Sequence, residues 1–357
     1  MNLLKFVSKP IPSKSHHRLI LPDASFPKGY LLTGLHCGVK KNTEQYDLAL
    51  LLSTSKRPAS AAGCFTTNAF KAAPVLVSQE ILRKNEGRAR GIIVNSGCAN
   101  AMTGNKGLEN AWTMVRETDA LIDARRETLV MSTGVIGQHL PISKIVDGIR
   151  STHVHMMGTG FDAWERAARA FMTTDTFPKL RSRVFEINGV EYRMGGIDKG
   201  AGMIHPRMDS SLHATLLGCI VTDAAVSPRS LQSALRYAVE RSFNSISVDG
   251  EMSTNDTVLA LANGAAASAE EIDEERDNVA YEAFRNELTS FAVDLAQLVV
   301  RDGEGATKFV TISVEGAPTY EDAHKVASRI STSALVKTAL YGEDAKYVCS
   351  ISDINRN

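Results

Sequence analysis

The 357-residue sequence has no excess of either charge: forty basic and forty acidic residues cancel to a formal net charge of zero. A surface balanced in this way is poorly suited to nucleic acid or to an anionic membrane, both of which select basic patches. No apolar run approaches the ~20 residues that a membrane-spanning helix requires. Cysteine is sparse and scattered: Cys37, Cys64, Cys98, Cys219 and Cys349 form neither CxxC pairs nor the staple framework of a small secreted domain. That usage points to a reducing compartment. The nine histidines make no ligand pattern either. His153 and His155 alternate without an obvious third ligand, so no metal is expected. Repeats, low-complexity tracts and interdomain linkers are also lacking.

What is present is ordinary globular material, 43% hydrophobic and 22% charged, in a chain long enough to bury a large core. The opening segment MNLLKFVSKPIPSKSHHRLILP (1–22) carries Lys5, Lys9, Lys14 and Arg18 and no acid before Asp23. This is the composition of a mitochondrial transit segment, although Pro10 and Pro12 oppose a helix there and a frayed terminus is the competing reading.

Strand-like and helix-like segments then mix throughout. YLLTGLHCGVK (30–40) and LALLLST (48–54) read as short buried strands, followed by the apolar AAGCFTT (61–67). GIIVNSGCANAMTG (91–104) runs from an apolar strand into a small-residue loop before a helix, a way of presenting backbone N–H groups to a ligand or simply a tight connection. ETLVMSTGVIGQHLP (127–141) repeats this arrangement and places Thr133 and Gly134 at a strand end, where a hydroxyl and an N–H can converge on an oxyanion. Helices are expected at 142–151 and 161–172. MTTDTFPK (172–179) is a polar cluster suited to a small polar substrate, with a capping loop as the alternative.

Two short strands, VFEI and VEYRM, lead to KGAGMIHPRMDSSLHATLLGCIVTD (199–223). Ser227 and Pro228 then open a helix over 227–243. NSISVDGEMSTNDTVLALANG (244–264) is a polar loop feeding an apolar strand. A long acidic helix is expected at about 268–300, a Gly-rich turn and strand at 301–316, and a last helix at about 320–333. The mixture predicts an α/β (α+β) fold of layered sheets covered by helices.

The chemistry centres on Thr215. It follows Ala214 where a polar loop becomes an apolar strand, so a hydroxyl can be held rigidly beside a backbone that remains free to be attacked. Attack of its Oγ on the Ala214 carbonyl, an N-to-O shift and hydrolysis of the ester would cut the chain before Thr215. The α-amino group released, with a reference pKa near ~8, can then act as general base for the same hydroxyl. A buried-strand threonine that only packs is the alternative.

Several separated motifs narrow the choice: NSGCANAMTG, STGVIG, MTTDTFPK, KGAGMIHP, ATLLG, VDGEMSTNDT, RDGEGATK and LVKTALYGED, in this order and spacing. From about Gly29 to Asp344 the chain resembles the ornithine acetyltransferases, the bifunctional glutamate N-acetyltransferase (ArgJ) family of the fungal mitochondrial type. The resemblance implies an N-terminal-nucleophile architecture of the ArgJ/DmpA kind. It also implies cleavage between Ala214 and Thr215 into an alpha chain (23–214) and a beta chain (215–357), held together by a shared core and paired into a heterotetramer of two of each.

The same resemblance makes Thr215 the acetylated nucleophile, Thr133 and Gly134 the oxyanion hole, and Thr173, Lys199, Thr215 and Glu304 the substrate contacts. The implied reaction moves an acetyl group from N2-acetylornithine to glutamate, with acetyl-CoA a further donor in some members and no metal or bound cofactor. An N-terminal-nucleophile amidohydrolase or aminopeptidase would use the same Thr215 but pass the acyl group to water; an inactive product is the third reading. Departures from the family pattern fall at the inserted DSSLH (209–213), at Met252, and after Asp344, where AKYVCSISDINRN replaces the expected Asn-Trp-Gly-Arg motif. The insertion bears on self-cleavage and the change after Asp344 on closure of the site, whereas Met252 is a tolerable replacement.

Overall fold

A computed structural model describes residues 12–66, 68–206, 208, 216–266 and 270–344. Ala214 and Thr215 lie outside the described residues, as do the first eleven residues of the expected transit segment and the stretch after Asp344.

The strands are β1 (Tyr30–Leu35), β2 (Leu48–Ser53), β3 (Ala59–Phe65), β4 (Arg88–Ala89), β5 (Gly91–Cys98), β6 (Thr128–Val135), β7 (Lys179–Ile187), β8 (Val190–Lys199), β9 (Leu217–Thr222) and β10 (Thr257–Ala262). They form a four-stranded sheet, β1-β2-β5-β6, and a six-stranded sheet, β4-β3-β10-β9-β8-β7. The central strands β9 and β10 are parallel, and every residue in both is buried. Their unbroken apolar runs are what a strand covered on both faces demands.

Period-two alternation divides those strands between two cores. Leu217, Cys219, Val221, Leu259 and Leu261 join the four-stranded sheet in one core. With them pack α1 (Ala73–Lys84), α2 (Gly104–Asp119), α3 (Ile142–Ser151) and α4 (Phe161–Phe171). Ile220, Val258, Ala260 and Ala262 point the other way, onto α5 (Pro228–Glu240) and α6 (Asn278–Arg301). The expected layered α/β fold is present. One contact shows how closely the layers meet: a Cβ at Gly34 of β1 would stand 2.1 Å from the Arg166 carbonyl oxygen of α4.

Local signals set several boundaries. The Ser227 side chain accepts from the Ser230 N–H, with Pro228 in the first turn, so α5 starts where the sequence places it. The acidic helix begins later than expected, at Asn278, because the Asp277 side chain caps it by accepting from the Ala280 N–H. The last helical stretch is two helices, α7 (Tyr320–Ser331) and α8 (Ala334–Gly342), with the Ser333 side chain capping the second. VFEI and VEYRM belong to longer strands that pair from Lys179 with Asp198 to Ile187 with Val190.

The strand expected after the turn at 301–306 does not form. Residues 307–315 join neither sheet, and Val310 remains 43% exposed. Alternating apolar residues provide a strand's face, but without a neighbouring strand they have no ladder to join. Phe309, Val310 and Ile312 instead line a cavity of about 470 Å³ against α6 and α7.

Candidate active site

The carboxyl ends of β5, β6 and β8 meet the entry to β9 and β10. In β6, Thr133 and Gly134 pair with Ser96 and Gly97 of β5, next to a register shift at Cys98. Gly134 has φ +126°, and a Cβ there would lie 2.3 Å from the Gly97 carbonyl carbon. Only glycine fits that backbone crossing. Lys199 ends β8, pairs with Leu217, and donates from Nζ to Thr133 Oγ1 at 3.3 Å. The described chain resumes at Leu216, whose carbonyl accepts from the Thr257 N–H at 2.8 Å. Thr133, Gly134 and Lys199 therefore gather at the end of β9 to which Thr215 is joined by sequence.

Asn255 ties the two sheets together at this point. Its Nδ2 donates to the carbonyls of Ala99 at 2.6 Å and Ser132 at 2.8 Å. Asp256, the next residue, is fully buried, and its carboxylate has no hydrogen-bond partner of normal geometry among the described residues. Burial pushes its pKa well above the carboxylate range, against the pull of Lys199. Burial also lowers the pKa of Lys199, with Asp175 the main opposing influence.

A buried ion network links the remaining candidates. Lys179 Nζ lies 2.6 Å from Asp175 Oδ1 and 2.6 Å from Asp302 Oδ2, with all three side chains fully buried. Asp175 also accepts from the Thr173 N–H at 2.9 Å and the Gly200 N–H at 2.8 Å. Burial would raise the pKa of Asp175, but the Lys179 and Lys199 charges outweigh it and hold the group well below the usual carboxylate range. Asp302 additionally takes Thr176 N–H at 2.9 Å. The next turn carries exposed Glu304, whose N–H donates to Ala201 O at 2.8 Å and whose carboxylate rests on Gly202. Asp249 fastens the facing loop by accepting from the Met203 and Ile204 N–H groups at 2.7 and 2.9 Å. Thr173, Lys199 and Glu304 are thus held by one framework.

Sequence reasoning places Asp175 in a polar cluster without its partner, and passes over the other residues that build this framework: Lys179, Asp302, Asn255 and Asp256. All lie inside motifs that were legible as polar clusters, but nothing local shows that Lys179 reaches Asp302. Lys40 was also missed. Its Nζ donates to Tyr46 O and Met172 O, each at 2.7 Å, and burial brings its pKa down to about 8.

Two predictions arise here. Lys179→Met leaves two buried carboxylates facing each other without their shared cation, and is expected to cost about 3–5 kcal/mol in urea unfolding. A loss below 1 kcal/mol would show that the network is not a structural tie. Asp198, fully buried and likewise without a hydrogen-bond partner among the described residues, has its pKa raised by burial. A raised carboxylate favours the fold while protonated, so its contribution is complete below the unfolded pKa and lost as pH rises through the folded one. Asp198→Asn removes that loss. Its Tm is expected to gain on the parent between pH 5 and pH 8, and parallel Tm curves would refute the assignment.

No group of histidine, cysteine, aspartate or glutamate among the described residues is arranged to hold a metal ion. No described helix is long and apolar enough to cross a membrane.

Comparison with known proteins matches residues 31–351 to the ArgJ family model, seven residues beyond the Asp344 at which the motif resemblance stops. The "Arginine biosynthesis bifunctional protein ArgJ, mitochondrial" of Coprinopsis cinerea is 69% identical over 354 residues, covering 95% of this chain and 75% of the relative. The protein of the same name from Laccaria bicolor is 68% identical over 353 residues, covering 96% of this chain and 75% of its own length. Among solved structures, the arginine biosynthesis bifunctional protein argJ of Bacillus halodurans is 37% identical, covers 53% of this chain and 95% of its own, and superposes with a TM-score of 0.49. With the family model spanning most of the chain and such identity to curated relatives, the chain belongs to the ArgJ family.

Proposed function

We propose that this chain transfers the acetyl group of N2-acetylornithine to glutamate, giving ornithine and N-acetylglutamate for arginine biosynthesis in the mitochondrial matrix. The observation that carries the reading is the gathering of Thr133, Gly134 and Lys199 at the entry to β9, immediately after Thr215 in sequence. Identity of 69% to a mitochondrial bifunctional ArgJ supports the same activity and location.

The chain first cuts itself. Thr215 Oγ attacks the Ala214 carbonyl, the C–N bond breaks as the C–O bond forms, and the nitrogen takes the hydroxyl proton. Water then hydrolyses the ester, leaving a carboxyl group on Ala214 and a free hydroxyl and amine on Thr215. In turnover the amine accepts the hydroxyl proton while Oγ attacks the acetyl carbonyl of acetylornithine. The Thr133 hydroxyl and the Gly134 N–H stabilise the oxyanion, and ornithine departs carrying the proton on its α-amino group. Glutamate's amine then takes the acetyl group by the reverse path.

In this reading Thr173 and Lys199 meet the substrate carboxylate, and Glu304 meets the δ-ammonium of ornithine. Acetyl-CoA is a second donor, no bound cofactor takes part, and the cut chains assemble as two alpha and two beta chains.

The test is transfer of labelled acetyl from N2-acetylornithine. With glutamate present, label is expected in N-acetylglutamate; without it, label is expected on the Thr215 peptide. Glutamate-independent release of free acetate as the sole product would mean a hydrolase instead.

A further inference from the structure

Residues 14–25 do not hang free of the body. Lys14 Nζ donates to the Gly303 carbonyl at 2.8 Å. Arg181 donates to His17 O at 3.1 Å, and the His17 ring sits 5.7 Å from that of Phe177. Arg18 pairs with Glu165 at 2.5 Å. Asp23 accepts from the Phe161 N–H at 2.7 Å, and Arg193 donates to Ala24 O at 2.7 Å. The segment is a strap across α4, β7 and β8 that ends on the turn bearing Glu304.

That turn is fixed at nearly every polar position. Asp302 is bound by Lys179 and Thr176, and the Glu304 N–H by Ala201 O. The carbonyl between them accepts from the Ala306 N–H within the turn at 2.9 Å and from Lys14 outside it at 2.8 Å, and Lys14 also lies within the electrostatic reach of Asp302 and Lys179. The Gly303 carbonyl is bonded directly to the Glu304 nitrogen. The two hydrogen bonds there set the plane of the peptide from which the Glu304 side chain departs, and Lys14 supplies the one that ties it to the strap.

We propose that Lys14 is a positioning residue for Glu304, and that the maturation cut of the leader lies on the N-terminal side of Lys14. This rests on the reading that Glu304 receives the δ-ammonium of ornithine. Removing a leader through residue 22 would take away Lys14, His17 and Arg18 together and loosen the turn that presents the carboxylate.

The experiment uses the full chain carrying Lys14→Met, with the two half-reactions measured separately. Glu304 acts on ornithine and not on glutamate, so KM for acetylornithine is expected to rise roughly five- to tenfold, as loss of one hydrogen bond implies. Reaction of the preformed acetyl-enzyme with glutamate is expected to stay within twofold of the parent. Lys14→Arg, which keeps a donor, is expected to restore the parental KM. Unchanged KM in Lys14→Met, or an equal loss in both half-reactions, overturns the positioning role.

N-terminal sequencing of the chain purified from mitochondria supplies an independent measurement. A mature start at or before Lys14 is expected, and a start beyond it overturns the proposal. Glu304→Gln separates the underlying assignment: if its KM for acetylornithine is parental, the fault lies in the role given to Glu304.

Discussion

The Thr215→Ala chain is expected to remain a single polypeptide and to transfer no acetyl group. Both outcomes follow from one missing oxygen. Without Oγ there is no N-to-O shift at Ala214, and no ester to carry the acetyl group between donor and acceptor. Removing a covalent nucleophile typically costs on the order of 10⁴-fold or more in kcat. Intact mass of the parent and variant chains, alongside the labelled-acetyl assay, reads both effects together. The parent is expected as two fragments meeting at Ala214–Thr215. If the same fragments appear in the alanine variant, another protease makes the cut and Thr215 loses its place in the mechanism. Thr215→Ser, which keeps a hydroxyl, is the informative companion, since it should still cut.

The second large effect belongs to Gly134→Ala. A Cβ at Gly134 would lie 2.3 Å from the Gly97 carbonyl carbon and 2.6 Å from the Cys98 nitrogen, both of them backbone atoms. A side chain can rotate away from an intruding methyl, but two paired strands cannot. The added carbon must spread β5 from β6 at Thr133 and shift the Gly134 N–H from the place where it is proposed to meet the oxyanion. Loss of one oxyanion donor costs about 10²- to 10³-fold in kcat, and that is the expected drop. Gly137 is the control. It too has positive φ, at +80°, but a Cβ there meets nothing within 4 Å. Gly137→Ala therefore bears only the backbone cost of about 1 kcal/mol, and its acetyl transfer is expected to stay near parental. Equal kinetic losses in the two variants would assign the effect to φ alone and remove the oxyanion argument.

The comparison between these glycines shows what was legible in the sequence. Thr133-Gly134 stands out as a strand-end pair, but the reason for the glycine is Gly97, which lies in another motif and becomes its neighbour only through β-pairing. The same holds for Lys179. Its tie to Asp175 stays within one short segment, whereas its tie to Asp302 depends on how α6 ends over β7. Local chemistry was readable: Ser227-Pro228 announces the start of α5, and the apolar runs at 217–222 and 257–262 announce strands, though not their central place in the sheet. The strand expected beyond residue 306 was misplaced because hydrophobic alternation describes one chain, while a strand requires two. The family resemblance offers Lys199 as a substrate contact, but nothing in the sequence shows a lysine buried to 3% exposure with its amine turned to Thr133.

The order of the six-stranded sheet has a consequence for how the molecule comes into being. β3, β4, β7 and β8 precede residue 214 and β9 and β10 follow it, yet in the sheet β9 and β10 lie side by side between β3 and β8. While the chain is whole, folding is a first-order event within one molecule. If it is cut before Thr215 as proposed, recovering the native state would become a bimolecular encounter of two chains that each hold part of this sheet. Dilution would then oppose refolding of the cut protein but not of the uncut Thr215→Ala chain. Self-cleavage would in this way turn a reversible fold into one that is maintained chiefly by its rate of opening.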